Sequence, residues 1–166
     1  MKAITSNMDR GTRSTDPSAR KKSDRLIREL IRLTLAGGLA FWVTTVATSL
    51  LSIAADYRSA FSDWSIQTVW FASLFAGLLI ACCVSCLLLR YSPKIPAKGP
   101  MMKSLVLSSC ILFLVTVLID VPRCFQGYGD VMVYFLIGFM FNLARFLFLG
   151  IAIGFQYKRL SMKVTA

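Results

Sequence analysis

Arg145 stands near the middle of a 26-residue apolar run, Val131–Gln156, and is the one formal charge in it. As a helix the run is ~39 Å long, enough to cross a ~30 Å hydrocarbon core with tilt. Arg145 then lies ~21 Å from Val131, near mid-bilayer. A guanidinium at that depth costs at least ~2.5–3.5 kcal/mol on insertion scales, and its pKa is too high for it to neutralise. Its donors suit oxygen acceptors: an amide, a hydroxyl, a backbone carbonyl, water, a lipid phosphate or a bound anion. Asn142 stands one turn before it, and Tyr134, Gly138, Leu149 and Gln156 share its face. Gly150-x-x-x-Gly154 points roughly opposite, a spacing that suits close packing on another helix or on a second copy.

A carboxylate partner is not expected. None of the eight acids falls at mid-membrane, and the nearest, Asp120, is placed ~18 Å from the Arg145 depth, beyond the reach of an arginine. The first apolar run offers hydroxyls instead. Thr34, Gly38, Phe41, Thr45, Thr48 and Ser52 fall on one helical face, and Thr44-x-x-x-Thr48-x-x-x-Ser52 is a close-packing pattern. Three readings of Arg145 follow. It fixes helix–helix geometry through Asn142, Thr45 and Thr48, these residues bind an anion or lipid headgroup, or Arg145 lines a water-filled pathway.

The cysteines offer a weaker chemistry. Cys82-Cys83-Val84-Ser85-Cys86 lies in the second apolar run and Cys110 in the third, while Cys124 is expected on the outer side. A four-thiolate metal site would require deprotonating thiols inside hydrocarbon, and the chain has no His to complete another donor set. The ordinary reading is Cys as a small, buried, apolar-like residue. Lipidation of Cys86 is a further alternative that needs a eukaryotic host. No metal or other cofactor is expected. Ser/His/Asp triads and paired intramembrane carboxylates are likewise absent, so an enzyme is not expected.

Gly127-Tyr128-Gly129-Asp130 resembles the end of the potassium-channel selectivity filter, which also enters from the outer side. The resemblance covers four residues. The Thr-rich stretch that should precede it is Val121-Pro122-Arg123-Cys124-Phe125-Gln126 here, and no pore helix fits between the flanking runs. The segment reads as a Gly-rich turn.

The elements that must position Arg145 are four apolar runs: about 33–55, 66–89, 101–121 and 131–156. At 56% hydrophobic and a mean hydropathy of +0.64 the chain exceeds the ~45–50% apolar usage of soluble domains. The expected fold is an all-α integral membrane protein, an antiparallel bundle of four transmembrane helices with short loops. Residues 1–17 read as a disordered basic tail and 18–32 as a basic amphipathic lead-in helix. The bundle occupies 33–157, and 158–166 form a short basic tail. The apolar runs leave no room for a soluble catalytic domain, and the basic leader is too long for a cleavable signal peptide.

The net charge of +11 has a direction. Nine Lys/Arg precede Leu33, four lie between the second and third runs, and three follow the fourth, against Arg58 and Arg123 in the opposite loops. Sixteen against two predicts cytoplasmic N- and C-termini, with the plasma or inner membrane as location. The same charge therefore needs no nucleic acid to explain it. Lys21, Lys22, Arg25, Arg28 and Arg32 are candidates for contact with anionic lipids, each contributing up to ~1 kcal/mol near the surface. In the outer loop 56–65, Tyr57, Phe61 and Trp64, with Trp70 beyond, read as an interfacial aromatic belt. The functional expectation is a non-catalytic accessory or assembly protein, working with a partner or a second copy. The alternative is a protomer of an oligomeric transporter or channel that binds an anion or headgroup at Arg145.

Overall fold

The computed structural model describes residues 17–61, 64–97, 99–124 and 131–165. Among these residues it is all-helical, with no strand. Helix α1 spans Pro17–Ser49, α2 Ser52–Phe61, α3 Ile66–Tyr91, α4 Pro100–Val115, α5 Val121–Cys124 and α6 Val131–Thr165. Four stretches are long and apolar enough to cross a membrane: Ser23–Ser49, Ile66–Tyr91, Pro100–Leu118 and Met132–Leu160. Of the expected tail 1–17, residues 1–16 lie outside the described residues, as does the Gly127–Asp130 turn, while Pro17 opens α1.

Several boundaries differ from the sequence expectation. The lead-in and the first apolar run form one helix, because nothing between Ser18 and Ala36 breaks it and its first residue is Pro17, whose missing N–H costs nothing there. That helix ends at Ser49 rather than near 55. Leu51 donates to Thr48 O at 3.2 Å and Ala54 to Leu51 O at 3.0 Å, short-range bonds that close a tight turn and restart the chain as α2. Most of the expected outer loop 56–65 is therefore helical. Ser65 then caps α3, its hydroxyl accepting from Thr68 N.

The third run ends in a wide turn, Thr116–Asp120, where Val121 N–H reaches back five residues to Thr116 O. Pro122 follows at once. A proline ring clashes with the carbonyl one regular turn behind it, and a wide turn moves that carbonyl aside. At the other end of the chain α6 continues through the expected basic tail to Thr165.

Glycines set how closely the long helices approach. On α1, a Cβ at Gly37 would come 2.7 Å from the Ile153 side chain of α6 and 3.0 Å from Ala81 Cβ of α3. A Cβ at Gly77 on α3 would stand 2.8 Å from Phe41 Cδ1 and 3.2 Å from Gly38 O. On α6, Gly154 would meet Met101 Cα of α4 at 2.9 Å, and Gly150 would meet Ser108 Oγ at 2.9 Å. Helix α1 thus packs on both α3 and α6, and α6 packs on α4. The glycine face of α6 has its partner within the chain: Ser104 and Ser108 supply the small surface opposite.

Polar bonds lock these seams. Ser104 Oγ donates to Gly150 O at 2.8 Å across α4 and α6. Trp42 Nε1 donates to Trp70 O at 3.1 Å, and Trp70 Nε1 to Ser49 Oγ at 2.9 Å, tying α1 to α3 twice. Trp70 is thus a strut between α1 and α3. Tyr157 OH and Ser92 Oγ are 3.0 Å apart, joining α6 to the turn after α3.

Leu33, Leu88, Leu149 and Ile153 are fully buried at the centre. Yet within an apolar 18-residue window of each stretch only 22–28% is buried inside the protein. Phe71, Phe75 and Leu79 on α3 and Phe113 on α4 are each two-thirds exposed or more. Patches of that size are costly in water and at no cost in lipid. The cysteines correct the expectation of burial: Cys83, Cys86 and Cys110 lie on these outward faces, and Cys82 is half-buried.

Candidate functional site

The packing contacts give the level at which each polar side chain sits. Phe41 and Phe146 meet edge to face, with ring centroids 5.8 Å apart. Thr45 lies four residues beyond Phe41, and Asn142 four residues before Phe146. Gly150 meets Ser108, and eight residues outward from each stand Asn142 and Thr116. Helices α4 and α6 therefore bring Thr116 and Asn142 to one level, and the Phe41–Phe146 and Gly37–Ile153 contacts set Thr45 of α1 between the levels of Asn142 and Arg145. Arg145 sits one turn below Asn142 on α6, half-buried, with Nη1 donating to Asn142 Oδ1 at 3.3 Å.

The threonines of α1 do not give their protons to this pair. Thr44 donates to Ala40 O at 2.8 Å, Thr45 to Phe41 O at 3.0 Å, and Thr48 to Thr44 O at 2.9 Å. Such back-bonds satisfy a hydroxyl on a buried helix face and leave its oxygen as an acceptor. Thr45 is fully buried, Thr48 half-buried, and Ser52 is exposed past the end of α1. The structure brings Arg145, Asn142 and Thr45 into one region and directs Ser52 away from it. Thr34 lies midway along α1, about three turns from Thr45 and one position from the core residue Leu33.

Thr116 was not apparent from sequence. It opens the wide turn, is 8% exposed, and its hydroxyl has no hydrogen-bond partner among the described residues. The register also revises the distance to Asp120. Its backbone stands four residues beyond Thr116, hence about 6 Å outward of the Asn142 level and about 10 Å from that of Arg145, rather than ~18 Å. Its side chain lies outside the described residues.

Tyr57, expected in an interfacial belt, lies against α6. A Cβ at Gly138 would come 2.7 Å from its hydroxyl oxygen, so the glycine makes the seat for the phenol. The Tyr134 and Phe141 rings flank it, at centroid distances of 6.4 and 6.1 Å. Gly138, on the polar face of its run, was the available signal. Helix α2 is thereby pinned to α6 two turns outward of Arg145.

A guanidinium, a carboxamide and two buried hydroxyls within about one helical turn of depth have two chemical uses. They can fix three helices by mutual hydrogen bonds, or present donors to an oxygen-rich anion. Comparison with protein-family models, curated proteins and solved structures gives no significant match.

Proposed function

We propose that this chain is a multi-pass membrane protein with a non-catalytic accessory or assembly role. In this reading the four long helices form an antiparallel transmembrane bundle with cytoplasmic termini in a plasma or inner membrane. The observation that carries it is the use of polar groups at membrane depth. Ser104, Trp42 and Trp70 each bond across a helix–helix seam. In hydrocarbon such donors need an internal partner, and here they join helix to helix. A scaffold held this way leaves large apolar faces for lipid or for a membrane partner.

Affinity purification in mild detergent should retain a membrane partner or a second copy in stoichiometric amount. Elution as a lone monomer from every mild detergent would remove the assembly role. The topology has its own test. Reporter fusions after Ala166 and within the loop around Pro96 are both expected to report cytoplasm. A signal from the far side at either position would overturn the orientation.

A second reading is an oligomeric transporter or channel protomer with an anion or headgroup at Arg145. The buried Thr116 hydroxyl at the Asn142 level favours it, since it is a further donor at that depth.

A further inference from the structure

We infer that α1 carries a built site for one anionic phospholipid, with Arg28 and Arg32 on its phosphate and Leu35, Leu39 and Val43 along an acyl chain. The inference rests on the membrane reading above and adds a ligand class to it. All five residues are exposed, and the spacing 28, 32, 35, 39, 43 keeps them on one helical stripe. The opposite face of α1 holds the buried Leu33, Gly37, Phe41 and Thr45.

The depth fits a headgroup. Gly37 meets Ala81, and nine residues from each toward the N-terminal end of α1 stand Arg28 and Arg90. Gly37 also meets Ile153, and five residues from each in the same direction stand Arg32 and Lys158. Arg28 and Arg32 are therefore level with the basic ends of α3 and α6, where the apolar spans give way to charge. From Arg32 to Val43 is about 16 Å along the helix, close to half of a ~30 Å hydrocarbon core. The apolar part of the stripe is one leaflet long.

The two arginines are also uncommitted. Arg25 pairs with Glu29 at 3.0 Å. Arg159 lies over the Phe155 ring at 4.4 Å, Lys94 lies over the Tyr91 ring at 5.9 Å, and Lys103 donates to Ser92 O. Arg28 and Arg32 make no ion pair or hydrogen bond with any described residue. Successive turns set them side by side, and two planar forks match the oxygens of one phosphate. Arg90 and Lys158 are exposed as well, but neither has a second basic residue one turn along on its own helix.

The test uses the full chain in vesicles of phosphatidylcholine with a minor share of phosphatidylglycerol, followed by native mass spectrometry of the lipid retained after extraction. The wild type should retain phosphatidylglycerol in excess of its bulk share. At about 1 kcal/mol per basic residue, Arg28→Gln should lower that preference ~5-fold and the R28Q/R32Q pair ~30-fold. The R90Q/K158Q pair should keep it. Equal losses in the two double variants would replace the site by a diffuse basic collar and overturn the proposal. So would retention of both lipids in their bulk ratio by the wild type. A chain that partitions with neither vesicle lipid would strike the membrane reading itself, whereas partition without preference strikes only this site.

Discussion

Replacing Gly154 with leucine is expected to unseat α4 from α6 and lower the melting temperature in detergent by several degrees. A Cβ at this position already comes 2.9 Å from Met101 Cα, a backbone atom that cannot rotate away. The helices must separate, and the Ser104–Gly150 bond one turn away lengthens with them. Overpacking of this kind costs ~1–3 kcal/mol, and losing the buried bond adds to it. Alanine should act in the same direction with a smaller shift. Gly99 is the control: its φ of 95° makes substitution a backbone effect, with nothing within 4 Å of the added atom. Unchanged melting of the Gly154→Leu variant would mean that the α4–α6 seam does not hold the protein together.

This seam shows what the sequence revealed and what it withheld. Gly150-x-x-x-Gly154 announced close approach by its spacing alone, because small residues at i and i+4 make a flat helix face. Its partner was not readable. Ser104 and Ser108 have the same spacing, but a serine in an apolar run reads equally as a back-bonded hydroxyl, and only the register of two helices pairs them. The four long helices were legible because apolar length is a strong signal. Their ends were not. Ser49-Leu50-Leu51-Ser52 holds no Gly or Pro, yet α1 stops there, and α2 owes its place to Tyr57 seated on Gly138. Nor does a hydropathy pattern encode a wide turn. Pro122 hinted at irregular backbone, and the structure puts the irregularity just before it. At the polar layer, Arg145 and Asn142 were found from their type and spacing. Thr116 was missed because it lies on a different helix, one of many hydroxyls in apolar runs, and only the Gly150–Ser108 contact sets its level.

Substituting Arg145 by leucine is expected to separate the two uses of the polar layer. The guanidinium is half-buried on α6 and bonded to Asn142 Oδ1, level with a region where α1 and α4 present Thr45 and Thr116. Removing it deletes a residue that costs ~2.5–3.5 kcal/mol to insert, so the variant should enter the membrane at least as well as the wild type. If the layer is a post between helices, as the assembly role requires, the melting temperature should nevertheless fall and the co-purifying partner should be lost. Asn142 Oδ1 would then lose the Arg145 donor, and a hydrogen bond from a charged group contributes ~1.5–3 kcal/mol. An anion site predicts the reverse. The variant would stay as stable or gain stability, since a buried cation had been held only for its ligand, and anion binding or flux would vanish. Arg145→Lys sharpens the comparison: it keeps the charge but loses the planar fork, so a site reading two oxygens at once should weaken while a point-charge pathway persists. Both uses require that Arg145 face the protein. A cysteine placed at 145 should therefore react with a lipid-phase probe more slowly than the native outward thiol Cys83, and equal rates would refute the inward orientation on which either use depends.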